Sequence, residues 1–471
     1  MELEQLSALD AAFLCLESRQ APLHLGALAI FGPQRDIAPD GLSALLGDRV
    51  ERVLSLRQRV RMTWLPPGAM RWVQDESFDL AHHLHQHTLD EHSEGALADL
   101  AGTIMAVPLN QRRPLWQLHL ITGLTHGRFA VLVKVHHAMA DGLRAVQLGI
   151  RLLDQCTDAP PTAAAPPHWA APPNRAASGP SSLLDIGRAV VGMAIHPDRT
   201  VAGLARYAAN IPGAVAEAFG TASIAASVVS HVRIGTLLAP GISTTAPSTN
   251  QRLALLKLDL DTVRQVGKRH GGTDNDILLT VITGALREWL TGKDCRVGSL
   301  NVRALIPVSR RTHGPHRGNL LSGYLCDLPI REPNPLARLH KIRTIMNQHK
   351  AAGFTHGPGA FPILADRLPA AVHHLTASLT RHCAPLLFDT IVTNVPIPTR
   401  PWTLAGAPLQ EVYPIAPLAH GQALGIALST YQGSIHVGLR ADPQMVPDLP
   451  RLAAAVPAAL AALTAASSTA L

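Results

Sequence analysis

Around residues 131–135 apolar side chains alternate about a single lysine, the period of an extended strand, and residues 143–153 then carry apolar positions at helical spacing. Between them stand two histidines and a turn closed by Asp141-Gly142. If the extended run persists, His137 shares a face with Val131, Val133 and Val135, and His136 joins Leu132 and Lys134. The same patterning predicts a short helix from residue 6, capped by Ser7 or Asp10, and a strand ending near Phe31. A helix around 39–53, a strand at 117–122, a strand at 252–258 and a helix at 261–269 follow. Thr273 and Asp276 have capping-box spacing at the start of a helix over 277–290. A strand at 304–311 ending in two arginines, successive strands with Gly and Pro turns over 406–443, and a final helix from 447 to about 464 complete the reading.

Strands mixed with helices over 471 residues imply an α/β protein with more than one core. Residues 155–182 are too rich in Pro and Ala to bury a core and read as a semi-rigid linker. Leu183, Ile186, Val190 and Ala194, and then Val201, Leu204, Ala208 and Ile211, mark amphipathic faces expected to cover the protein or lie on a lipid surface. The expected division is an N-terminal lobe at 1–154, linker and amphipathic helices at 155–245, and a C-terminal lobe at 246–471.

A formal charge of +7 favours acidic partners such as a nucleotide-bearing thioester or anionic lipid headgroups. No basic run is interleaved with aromatics, so nucleic acid is not expected. Five dispersed cysteines fit a reducing, cytoplasmic compartment without a disulfide framework. The N-terminus lacks the basic and apolar regions of a signal peptide, and the Ala-rich C-terminus reads as a surface helix with a frayed tail.

A neutral imidazole in apolar surroundings can act as a general base, and the turn offers one in His137. Asp141 is placed to begin the next helix or to fix the turn by accepting backbone N–H or Arg hydrogen bonds, and Gly142 to take a conformation other residues resist. No Cys/His cluster has metal-ligand spacing. His82, His83, His85 and His87 read as surface or interface residues. Pro114-Leu115-Trp116 reads as packing beneath the histidine strand, with Pro114 restricting the chain and Trp116 burying a large surface.

His136-His137 with Asp141-Gly142 is the HHxxxDG pattern of the CoA-dependent acyltransferase superfamily. The chain resembles its bacterial wax ester synthase/diacylglycerol acyltransferases through the Leu-Asp, Phe-Leu and Gly-Ala-Leu order near the N-terminus, Pro114-Leu115-Trp116, Asn275-Asp276 and Asn394-Val395-Pro396. Thr393 and Ile397-Pro398 replace the usual Ser and Gly-Pro around that last motif. The resemblance implies two chloramphenicol-acetyltransferase-like lobes, mixed sheets with flanking helices, and a tunnel between the lobes. It further implies His137 as base and Asp141 as structural support. Fatty acyl-CoA would be the donor, diacylglycerol or a long-chain alcohol the acceptor, with no cofactor or metal. A cross-lobe pair between Asp141 and Arg303, Arg310 or Arg311 is an attractive use of those cations. Asn275-Asp276 reads equally as a helix start or a site element, and Thr393-Asn394 as a turn or as oxyanion donors. Peripheral attachment to the inner membrane face or to lipid droplets is expected from the charge and the amphipathic segment. The alternatives are a superfamily acyltransferase with another acceptor or a carrier-bound donor, and a non-catalytic lipid-binding protein.

Overall fold

The computed structural model describes residues 6–33, 39–63, 69–154, 250–293, 297–309, 321–352 and 387–469. The expected linker and amphipathic helices at 155–245, and Arg310 and Arg311, lie outside these residues. Two six-stranded mixed sheets form the framework. The first contains β1 (His24–Phe31), β4 (Leu84–Thr88), β5 (Trp116–Thr122), β6 (Phe129–His136), β11 (Thr403–Leu404) and β12 (Ala407–Ile415), in the order β11-β12-β1-β6-β5-β4. The second contains β7 (Arg252–Asp259), β8 (Val302–Ser309), β9 (Leu321–Leu328), β10 (Thr390–Pro396), β13 (Leu424–Tyr431) and β14 (Ser434–Ala441), in the order β7-β14-β13-β10-β8-β9. Among the described residues, β2 (Gln58–Met62) and β3 (Met70–Gln74) pair only with each other.

Local sequence chemistry starts the helices that frame these sheets. Ser7 accepts a hydrogen bond from the Asp10 N–H at 3.0 Å and begins α1 (Ala8–Leu16). α2 spans Pro39–Glu51, α3 Glu94–Ala106 and α4 Gly142–Ile150. α5 (Leu260–His270) and α6 (Asp274–Thr291) follow β7. The capping box expected for α6 is formed: the Thr273 N–H donates to Asp276 at 2.8 Å, and Asp276 N–H returns a bond to the Thr273 hydroxyl at 3.3 Å. α7 is Pro335–Ala352 and α8 Leu449–Thr469. α8 passes through Pro457, which lies on its exposed side, and buries Leu452, Val456, Leu460 and Leu463 in the core of the second sheet. That helix is apolar and long enough to cross a membrane by length alone, but its apolar stripe is spent on the protein core.

Residues 403–415 differ from the simple N-to-C division. β12 pairs antiparallel with β1, Leu28 opposite Tyr413, so a segment from the expected C-terminal lobe is a central strand of the first sheet. Burial on both faces explains its place: Leu409 and Val412 join the cluster of Phe31 and Trp116, while Tyr413 and Ile415 join that of Leu28 and Leu132. The sheets meet where side chains are absent. A Cβ on Gly438 would lie 2.1 Å from the Pro414 carbonyl oxygen, and where α3 meets the residue before β7 one on Gly102 would lie 2.7 Å from the Gln251 carbonyl oxygen.

Candidate active site

The two faces of β6 do different work, as its alternation requires. Val131 and Val133 face an inter-sheet cavity of about 360 Å³, and His137 reaches the same cavity just past the strand end. Lys134 is buried on the other face, and its ammonium donates to the carbonyls of Ile104 (2.8 Å) and Val107 at the end of α3. Cations satisfy the orphan carbonyls of a helix C-terminus. Burial, then the Arg440 guanidinium, pulls this ammonium down to about 7 against the opposing Glu17 charge.

His137 is held by its backbone and by its ring. Its N–H donates to the Leu23 carbonyl at 2.9 Å, and its imidazole stacks on Phe13 of α1 at 4.1 Å between centroids. Burial chiefly pushes the imidazole down to about 4, opposed by a bond to its own backbone and by the Asp141 charge. The ring is therefore neutral near pH 7, the form that can accept a proton. Asp141 caps α4, accepting from the Arg144 N–H at 2.9 Å, and it also lines the cavity. Gly142 departs from expectation. It is not among the glycines with positive φ, and an added Cβ would make only ordinary contact with Val395 at 3.5 Å.

His136 points elsewhere and is fully buried. Its Nδ1 accepts from the Ala138 N–H at 3.0 Å, which assigns the proton to Nε2, 3.5 Å from Glu17 Oε1. Burial works to raise the Glu17 carboxyl, but His136, Gln111 and the Leu23 backbone together hold it below its ordinary value. Glu17 is invisible to sequence reasoning, a lone acid more than a hundred residues before its partner. Pro114-Leu115-Trp116 supports this arrangement: the Leu115 carbonyl accepts the His136 N–H at 2.9 Å, and the Trp116 indole donates to Leu56 at 2.7 Å. His83, expected at the surface or an interface, is only 2% exposed; it stacks on Phe78 and on Trp116 and bonds to the Trp116 carbonyl at 2.9 Å. Packing against the indole outweighs the polar ring's preference for water because that bond satisfies it.

The opposite wall comes from the second sheet. Among the described residues β10 pairs with β8 through Thr390 and Ile391, and Thr393, Asn394, Val395 and Pro396 beyond them line the cavity. His420 and Gln422, in the loop between β12 and β13, line it too and were not singled out by the sequence. Asn275 and Asp276 are not among the lining residues, and Asp276 is bound into its capping box. Of the three arginines considered for Asp141, Arg303 grips Asp327 at 2.8 Å.

One fully buried cation joins the two walls. Arg440 of β14 donates to the His24 and Ala416 carbonyls at 3.1 Å each, to Met105 at 3.0 Å and to Gln251. His24 adjoins Leu23, which holds the His137 backbone, and Ala416 begins the loop that carries His420. Arg440 thus pins both rims of the cavity. Burial pulls its guanidinium down to about 9.

Comparison with known proteins accords with this architecture. Residues 6–278 match the wax ester synthase/diacylglycerol acyltransferase catalytic domain, and 317–464 the C-terminal domain of the same family. A protein of Mycobacterium tuberculosis named as a probable diacylglycerol O-acyltransferase is 30% identical over 472 aligned residues, covering 99% of this chain and 96% of that one. The wax ester synthase/diacylglycerol acyltransferase of Marinobacter aquaeolei VT8 superposes with a TM-score of 0.67 at 24% identity, covering 98% of this chain and all of that one. The starter condensation domain of rhizomide synthetase, at 14% identity, covers 99% of this chain and 94% of its own with a TM-score of 0.58, and shares the fold. Two sheets enclosing a cavity that receives the second histidine of HHxxxDG, with family matches over both halves, place the chain among acyltransferases: it belongs to the wax ester synthase/diacylglycerol acyltransferase family.

Proposed function

We propose that this acyltransferase moves a fatty acyl group from acyl-CoA to diacylglycerol or a long-chain alcohol, with His137 as general base. The observation that carries the reading is a neutral imidazole on the wall of a largely apolar cavity shared by the two sheets. The acceptor hydroxyl gives its proton to His137 as its oxygen attacks the thioester carbonyl. The tetrahedral intermediate collapses by breaking the carbon–sulfur bond, and the proton returns to the departing thiolate. Products are the ester and free CoA. Burial makes the imidazolium costly, so the ring passes its proton on, while the Asp141 charge eases the transient positive state. Thr393 and Asn394 are the proposed donors to the oxyanion. The scheme calls on no cofactor. Because both substrates carry lipid chains and the protein is basic, we place it in the cytoplasm, peripheral on a membrane or lipid droplet.

The test is CoA release from palmitoyl-CoA, corrected for hydrolysis, with dioleoylglycerol or hexadecanol as acceptor. His137→Ala is expected to stay folded and lose about 100 to 10,000-fold in rate, the range of a general base. Near-normal turnover by that variant refutes the role of His137, and activity only with a carrier-bound donor refutes the choice of donor.

A further inference from the structure

The β2–β3 hairpin stands apart from both large sheets, and its alternation gives it two unlike faces. On the inner face Met70 is buried, and Val60 and Trp72 pack against the core of the first sheet. The outer face carries Arg59, Arg61, Arg71 and Val73. Arg59 reaches Asp75 at 3.4 Å. Arg61 lies directly opposite Arg71 in the ladder, and among the described residues neither has an ion pair. Like charges opposed in this way destabilise a strand pair, and a lone two-stranded hairpin has little stability to spare. Met62, opposite Met70 at the loop end of the hairpin and so on its other face, is 63% exposed, and Leu54 in the turn leading to β2 is 70% exposed. A pair of guanidinium groups with no acidic partner among the described residues suits a surface of anionic headgroups.

The position of the hairpin connects it to the site. The Leu6 N–H donates to the Met70 carbonyl at 3.0 Å, and α1, which begins two residues later, supplies Leu9, Phe13 and Leu16 to the cavity wall. We propose that the outer face of this hairpin, centred on Arg61 and Arg71, docks the protein on an anionic lipid surface and sets the α1 wall of the cavity beside the membrane. The proposal rests on the peripheral-membrane reading above and names the contact surface. The net positive charge of the chain adds long-range attraction of the same sign.

The experiment is co-sedimentation of the full chain with phosphatidylcholine vesicles, with and without phosphatidylglycerol, at low and high salt. Wild type is expected to bind only the phosphatidylglycerol vesicles and to be released by salt. Each arginine near such a surface is worth about fivefold in binding, so R61Q/R71Q should bind about 25-fold more weakly. R61K/R71K, which keeps the charge, should bind like wild type. Turnover of a short-chain acyl-CoA with a soluble alcohol should be the same for all three. Undiminished vesicle binding by R61Q/R71Q overturns the hairpin assignment and leaves the membrane reading standing. No binding by wild type overturns both. A raised KM for acyl-CoA in R61Q/R71Q with vesicle binding intact overturns the lipid assignment and gives this face to the phosphates of the donor.

Discussion

Asp154 fastens the crossover strands to the first lobe, and Asp154→Asn tests what that is worth. Its carboxylate accepts from Arg49 at 2.5 Å, the Thr403 hydroxyl at 2.8 Å, the Ala405 N–H at 2.9 Å and the Gly406 N–H at 2.8 Å, while its own N–H donates to the Thr403 carbonyl at 2.9 Å. Ala405 and Gly406 both have positive φ, so this carboxylate stabilises a tight turn between β11 and β12. Burial acts to raise the carboxyl, but the four donors prevail and hold it at about 2 against an ordinary 3.8. At about 1.4 kcal/mol per pH unit, that gap contributes about 2 kcal/mol to folding at neutral pH. Four fully buried charge-assisted bonds would suggest more, about 1.5 to 3 kcal/mol each, but the side chain is 23% exposed and water competes. The smaller figure is the expectation. The carboxyl is depressed on folding, so its contribution is complete above pH 3.8 and is lost as pH falls through about 2. Urea unfolding should therefore show D154N weaker by about 2 kcal/mol at pH 7, with the gap constant to pH 5 and shrinking below pH 4. A gap under about 0.5 kcal/mol at pH 7, or one that persists unchanged at pH 2.5, refutes the reasoning.

Three further outcomes follow from packing and burial. Gly438→Ala should cost more than about 3 kcal/mol in denaturant unfolding, since its Cβ would strike a backbone carbonyl; a near-native midpoint would mean the sheets can move apart. Gly142→Ala should change stability by less than about 1 kcal/mol, because nothing in its φ or surroundings excludes a methyl group, and calorimetry checks this directly. The melting temperature should fall as pH drops from 6.5 towards 4. His119 is held at about 3 and His137 and His436 at about 4, in each case chiefly by burial, so the unfolded chain takes up protons that the folded one refuses. A flat profile over that range in a pH series of thermal melts would contradict the burial of these rings.

What the sequence made legible was local. The Ser7 cap, the Thr273–Asp276 box and the strand–turn–helix about His136 and His137 each depend on residues a few positions apart, where periodicity and hydrogen-bond chemistry dominate. The alternation of β6 correctly separates His137 from Lys134 and His136. Contacts between distant segments left no such trace. Glu17 meets His136, and Arg440 meets His24, through backbone paths that only the finished fold defines. β12 reads as a strand from its pattern, but nothing in it names the sheet that accepts it. His83 reads as a surface or interface residue because histidine-rich polar runs usually are, and the Trp116 ring and carbonyl that bury it come from a strand the local pattern does not name. Gly142 shows a different failure, a residue given a backbone role that its φ does not demand.

The return of β12 to the first sheet carries a cost during synthesis. β1 leaves the ribosome early, flanked on one side by β6, while the strand that completes its other side begins only at Ala407. For most of translation the nascent N-terminal half carries an open, apolar edge of the kind that pairs with strangers. A gene cut between the halves would yield a fragment with that edge permanently bare. Complementation from two separately expressed pieces would need the second to arrive before the first aggregates.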